Sequence, residues 1–331
     1  MKKFVIALLV IVVLAGVGYY YGGAEIVRER VSDSGSFVYE TDAESAEDCT
    51  SYEYFDKDRS VCAYECSTDE ECDEIEDSIN DELDSWSEGE YADDSAERSE
   101  EGDFDMLAEY TVKKGERIDF SAAAQDSIDQ EIWRHISAIS PNSLSDSYIE
   151  KYSVFDDSNS DVLASVDDDD QNGKWRISVN IAGYESSSLR ERNLTIIHEL
   201  GHIVTLNNSQ LKNVSESRCE GYFTQEGCAA DNTYLGGFVN LFWTKEMIDA
   251  AVDENADLYA KSNFVTEYAA TNPEEDLAES FAYYVIGGLK TGDRVQDRKV
   301  SYFAQFPEIV AMRSQMLEGV TTDIVRARHA R

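Results

Sequence analysis

His198-Glu199-Leu200-Gly201-His202 stands between two apolar runs, Leu194-Thr195-Ile196-Ile197 before it and Ile203-Val204-Thr205-Leu206 after it. The pattern is H-E-x-x-H, and its meaning comes from helix geometry. Residues i and i+4 share one face one turn apart, so both imidazoles reach a single metal ion. Glu199 then falls beside that metal, where a carboxylate can serve as general base toward a water. The chain has four histidines in 331 residues, which makes chance spacing of two of them a poor account.

The helix around the motif is readable from its ends. Ser188-Leu189-Arg190-Glu191 is a capping box, so a helix should begin there and run to about Leu206. Leu189, Ile196, Ile197, Leu200, Ile203 and Val204 would bury it on most sides. Two buried imidazoles need partners, and a metal satisfies both at once.

Two histidines do not complete a catalytic zinc site, for which three protein ligands plus a water are usual. The place of a third histidine in the extended motif is taken by Asn208, His329 sits in a charged tail, and His135 reads as structural. The best source of a ligand is Asn272-Pro273-Glu274-Glu275-Asp276-Leu277-Ala278-Glu279-Ser280-Phe281. Asn272 can cap, Pro273 suits the first helical position, and Glu275 completes a second capping box. The helix continues through Leu277, Phe281 and Val285 to Gly287-Gly288. Glu275 and Glu279 lie one turn apart on it. One can ligate zinc while the other accepts a hydrogen bond from a ligating histidine.

From Leu194 to Val285 the chain resembles the glutamate-zincin (gluzincin) metallopeptidases, in the branch that includes the catalytic domain of anthrax toxin lethal factor. That branch carries H-E-x-x-H, a Tyr seven residues before a Glu, and E-x-x-A-E on a helix. Here these are His198 to His202, Tyr268, and Glu275-Asp276-Leu277-Ala278-Glu279. The resemblance implies that His198, His202 and Glu275 bind Zn2+, that Glu199 is the base and that Tyr268 donates to the oxyanion. Glu279 would support a ligating histidine. It implies an α+β, zincin-like metallopeptidase domain with a small mixed sheet and a peptide or protein substrate. It covers roughly residues 175 to 290, and not the N-terminal third or the pair Cys219 and Cys228.

The rest of the chain sets the context. Lys2-Lys3 followed by the apolar run Phe4 to Val17 and by Tyr19-Tyr20-Tyr21 reads as an export signal over residues 1–24, or as a membrane anchor if uncleaved. Either places the bulk of the chain outside the cytoplasm. Residues 25–48 read as a tether, and 49–72, with Cys49, Cys62, Cys66 and Cys72, as a small disulfide-stapled module whose pairing stays open among three arrangements. Residues 73–105 are rich in Asp, Glu and Ser and read as a disordered or loosely helical acidic linker. The metallopeptidase domain would be 106–331. Cys219 and Cys228 read as a further disulfide closing a small loop by the site.

Within that domain, Ser127–Ile139 reads as an amphipathic helix and Tyr234–Trp243 as a core helix. Val162–Val166 and Lys174–Ala182 read as strands joined at Asn172-Gly173 in a hairpin, the second forming the sheet edge beside the motif helix. Such an edge can hold an extended peptide by backbone pairing.

With 28 Lys plus Arg against 68 Asp plus Glu, the formal net charge is -40. Nothing offsets phosphate repulsion, so nucleic acid is excluded as a partner. A solvated acidic surface accounts for the charge. One other class of function remains open at this point: a surface-anchored interaction protein, with a non-catalytic zinc site and a binding module stapled by the N-terminal cysteines. A fourth protein ligand closing the metal would distinguish it.

Overall fold

The computed structural model describes residues 37–42, 54–57, 61–65, 69–88, 105–113, 118, 127–168, 173–251, 258–259 and 263–329. Residues 1–24, expected as an export signal or membrane anchor, and the pairing of the first four cysteines lie outside the described residues. Among the described residues no helix is long and apolar enough to cross a membrane.

The N-terminal part departs from the tether, module and linker division. Strand β1 (Phe37–Asp42) lies within the expected tether and pairs antiparallel with β3 (Val61–Glu65), which also pairs with β2 (Tyr54–Asp56). Helix α1 (Asp69–Glu88) then occupies the first half of the expected acidic linker. Its acidic residues mask an apolar stripe, Ile75, Ile79, Leu83 and Trp86, at the spacing of one helix face. Ile79 and Trp86 are buried, and α1 packs on the helix that carries Glu275. Arg190 donates to the Trp86 carbonyl (3.5 Å) and Lys290 to the Ser87 carbonyl (3.3 Å), which partners two of the carbonyls that the helix end leaves open. Residues 73–88 are therefore part of the folded body rather than a linker.

The main sheet has four strands in the order β4 (Met106–Thr111), β5 (Ile149–Phe155), β7 (Trp175–Asn180), β6 (Ala164–Asp167). Pairings β4–β5 and β6–β7 are antiparallel and β5–β7 is parallel, so the sheet is mixed. Helices α2 (Ile128–Ile139) and α3 (Asn142–Tyr148) lie between β4 and β5 in the chain. Strands β6 and β7 form the expected hairpin, with Gly173 at φ +78° and its N–H donating to Asp168 Oδ2 at 2.8 Å.

The edge assignment is corrected. Strand β7 is internal, and β6 is the edge that packs against the motif helix. Trp175, Ile177, Ser178, Val179 and Asn180 are all buried, as a strand covered on both faces requires. At Ile181 the chain turns into a short helix, α4 (Ile181–Ser186).

The motif helix is α5 (Leu189–Leu206), and its capping box forms as written in the sequence: Ser188 Oγ accepts from Glu191 N, and Glu191 reaches back to Ser188 N. It crosses α8 (Pro273–Gly287), reached through three short strands β8 (Leu211–Lys212), β9 (Tyr222–Phe223) and β10 (Cys228–Ala229), then α6 (Tyr234–Phe242) and α7 (Lys245–Ala251). Helices α9 (Val295–Ser301) and α10 (Pro307–His329) complete the body. Ile196, Ile197, Leu200 and Ile203 of α5 meet Leu277, Phe281 and Val285 of α8 in one core, all inaccessible to solvent. Each such side chain contributes about 1.5–3 kcal/mol by leaving water. That burial fixes the two helices against each other, and the site lies where they cross. The architecture is α+β with a small mixed sheet.

Candidate metal centre

Two helices supply the candidate ligand atoms. On α5, His198 and His202 are buried, one turn apart, with ring centroids 4.7 Å apart. Their Nε2 atoms lie 3.0 Å from each other. On α8, Glu275 brings its Oε2 to 3.1 Å from His198 Nε2 and 3.3 Å from His202 Nε2. Among the described residues, His198, His202 and Glu275 are the group that can hold a metal ion.

The donor set fits a small cation. A tetrahedral zinc ion with bonds of about 2.0–2.2 Å holds its ligand atoms about 3.3–3.6 Å apart, a few tenths of an ångström from the 3.0, 3.1 and 3.3 Å found here. Two imidazole nitrogens and a carboxylate oxygen are strong electron-pair donors of the kind zinc takes. Without a cation, three electron-rich atoms share one point in a buried place, which proton sharing must relieve. Burial works to lower the His198 pKa, but hydrogen bonding to Glu275 and Glu279 overcomes it and pushes the group up to about 10. Burial likewise works to raise Glu275, and His202 and His198 hold it well below the usual carboxylate range.

How Glu275 arrives is local chemistry. Asn272 caps α8, its side chain accepting from Glu275 N at 2.9 Å, and Pro273 takes the first turn. The expected reciprocal half of that capping box is replaced, because the Glu275 side chain turns to the histidines. Gly201, within the motif, lets the helices approach. A Cβ there would stand 3.0 Å from Phe281 Cδ1 and 3.5 Å from Ala278 Cα.

Glu279, one turn beyond Glu275, places Oε1 2.7 Å from His198 Nδ1. With Nδ1 occupied by a carboxylate, the Nε2 face of the ring is directed at the donor cluster. Glu279 Oε2 accepts from Thr266 Oγ1 at 2.8 Å. Tyr268 is half-buried on a single 3-10 turn, Tyr268–Ala270, with its ring centroid 5.9 Å from that of His198. Glu199 is buried on α5 beside His198. Of the six residues that the sequence marked, His198, His202, Glu275, Glu279 and Tyr268 are brought together here, and Glu199 is placed by its position on α5 next to His198.

Cys219 and Cys228 are bonded as expected, and their loop is tied to the site's edge. Tyr222, within the loop, donates to Glu274 Oε2 at 3.0 Å, one residue before Glu275. His135 is structural: its Nδ1 lies 3.0 Å from Tyr184 OH, and its Nε2 lies 3.3 Å from Asp323 Oδ2 and 3.4 Å from Asn193 Oδ1.

Three supporting residues escaped sequence reasoning. Thr266 has a legible signal, a hydroxyl residue opening the turn that carries Tyr268. Tyr222 and Lys299 have none. Lys299 is wholly buried, with Nζ 2.6 Å from Asp276 Oδ2 and 3.7 Å from the Phe264 ring centroid. Trp243 Nε1 donates to the same Asp276 oxygen at 2.8 Å.

No protein-family model, curated protein or solved structure matches the chain.

Proposed function

We propose that this chain is an extracytoplasmic zinc-dependent metallopeptidase of the glutamate-zincin type. The observation that carries the reading is the convergence of His198 Nε2, His202 Nε2 and Glu275 Oε2 within 3.0–3.3 Å, with Glu199 following the first ligand on the same helix. Three ligand residues among those described leave a coordination position for a water and a substrate, the arrangement of catalytic rather than structural zinc. This favours the peptidase over a surface-anchored interaction protein with a closed metal site.

His198, His202 and Glu275 would hold the zinc, and Glu279 would keep the His198 ring in place. When bound, zinc supplies the Lewis acidity that polarises a peptide carbonyl and makes a water easier to deprotonate. Glu199 would take a proton from the attacking water as its oxygen bonds to the carbonyl carbon, and pass that proton to the amine nitrogen as the C–N bond breaks. Tyr268 donates a hydrogen bond to the carbonyl oxygen as it gains negative charge, a contribution of about 2–4 kcal/mol for one such donor. The substrate peptide pairs with the outer edge of β6, which is an edge strand among the described residues and lies beside α5. A disulfide at Cys219–Cys228 supports an oxidising, extracytoplasmic setting.

The test is Glu199→Gln. The variant is expected to keep its zinc and lose chelator-sensitive hydrolysis of casein or of a peptide library. Cleavage at the wild-type rate would remove Glu199 from the role of base.

A further inference from the structure

We propose that Thr266 is a positioning residue that joins the Glu279 carboxylate and the turn bearing Tyr268 into one unit. It rests on the peptidase reading of the site for the role of Tyr268, but its zinc arm stands apart from catalysis.

The Thr266 side chain is buried at 6% exposure. Its Oγ1 makes two bonds: it donates to Glu279 Oε2 at 2.8 Å and accepts from Ala269 N at 3.0 Å. The direction of both is fixed. An ionised carboxylate only accepts and a backbone amide only donates, so the hydroxyl proton goes to Glu279 and a lone pair to Ala269. The hydroxyl therefore has one permitted orientation.

Each bond leads to a different part of the site. Through Glu279 it reaches His198, since Oε1 of the same carboxylate lies 2.7 Å from His198 Nδ1. Through Ala269 it holds the turn Tyr268–Ala270, whose first residue sets its ring beside His198. The strap leading into the turn is anchored upstream by Phe264 and Val265, both inaccessible to solvent or nearly so. That anchoring is apolar and sets depth. Thr266 supplies the directional join between the strap and α8, where Glu275 and Glu279 sit. Removing the hydroxyl leaves a buried amide without this acceptor and a buried carboxylate oxygen without this donor, a loss of register at both places.

The experiment uses the full chain with Thr266→Val, which keeps the shape and removes the hydroxyl, and Thr266→Ser, which keeps the hydroxyl. Three quantities are read: the zinc dissociation constant by chelator competition, hydrogen exchange at the Ala269 amide, and kcat with KM on a cleaved peptide. Thr266→Val is expected to bind zinc about 10–100-fold more weakly. It should also lose protection at Ala269, and lower kcat with KM unchanged, because the Tyr268 bond forms in the transition state. Thr266→Ser should stay close to wild type in all three. Zinc affinity and Ala269 exchange unchanged in Thr266→Val would overturn the proposal, as would Thr266→Ser impaired equally with Thr266→Val. A change confined to KM would detach Thr266 from Tyr268. If the wild-type chain cleaves nothing while Thr266→Val loses zinc, the peptidase reading fails and the Thr266–Glu279 join survives. If the wild type cleaves and Thr266→Val matches it throughout, the join fails alone.

Discussion

Gly201 lies directly against Phe281 where α5 crosses α8, so close that a Cβ on Gly201 would stand 3.0 Å from Phe281 Cδ1. The contact sets the distance between the histidines on one helix and the glutamates on the other. Gly201→Val adds three carbons where there is no room. It should cost about 1–3 kcal/mol through overpacking. The larger effect should be on the metal, because separating the helices draws Glu275 from the two Nε2 atoms. Thermal unfolding and zinc content measured together check this: a lower Tm with full zinc occupancy would show that the crossing does not set the site.

Glu275 is the candidate ligand supplied from outside the motif helix, and Glu275→Ala should strip the site to two histidines. Zinc occupancy after dialysis against a weak chelator should fall to near zero, while Glu199→Gln retains it. Unchanged metal content in Glu275→Ala by atomic spectroscopy would place the third ligand elsewhere.

The stability of the metal-free protein and the increment that zinc adds to it should respond to pH with opposite sign. His198 is raised from 6.5 to about 10 when no metal is present. A raised histidine contributes stability that is complete below pH 6.5 and is lost as pH climbs toward about 10. Glu275 is lowered from 4.5, so its contribution is complete above that value and is lost as pH falls further. The pair therefore stabilises the metal-free protein most between pH 4.5 and 6.5. Zinc must displace the His198 proton, so its affinity gains up to about tenfold per pH unit across the range where His198 is protonated. The zinc-induced rise in Tm should grow from pH 6 to pH 8 while the metal-free Tm declines. An equal zinc increment at both values would mean that no proton is displaced.

Trp86 should matter to a domain from which the sequence appeared to separate it. It is 6% exposed, its carbonyl accepts from Arg190, and Arg190 also donates to Tyr283 of α8 at 3.2 Å. Trp86→Ala should destabilise by about 3–5 kcal/mol. Urea unfolding of the variant, and of a chain truncated before Met106, measures it. Wild-type stability in either would return α1 to the status of a linker.

The sequence exposes what depends on local chemistry and conceals what depends on partners. The capping box at Ser188, the i, i+4 histidines and the Asn272-Pro273 helix start are all written within a few residues, and each forms. The side chain of Glu275 was legible as a ligand only by resemblance, since on spacing alone it competes with an ordinary acidic first turn. Helix α1 was hidden because Asp and Glu dominate its composition, although Ile75, Ile79, Leu83 and Trp86 keep helical spacing. The internal place of β7 is a matter of strand order, which alternation within one strand does not contain. Lys299 gave no sign, because a buried lysine is recognised only by the carboxylate it meets.

That lysine gives the sharpest test of how α8 is held. Lys299 Nζ and Asp276 Oδ2 are 2.6 Å apart with neither side chain exposed, and Asp276 neighbours Glu275. Burial pushes Asp276 up to about 7 against the pull of Lys299, and burial lowers Lys299. Each charge is thus tolerated because of the other. Lys299→Met leaves the buried Asp276 carboxylate without its cation, with the Trp243 N–H still donating to it, and should cost about 3–5 kcal/mol. Adding Asp276→Asn removes the stranded charge while the amide oxygen can still accept from Trp243, so the double variant should recover most of that loss. Urea unfolding of the two single variants and the double closes the cycle. Additive losses would show that the two groups act independently. Recovery of stability with normal zinc binding would show that the pair serves the packing of α8 on α9 rather than the placement of Glu275.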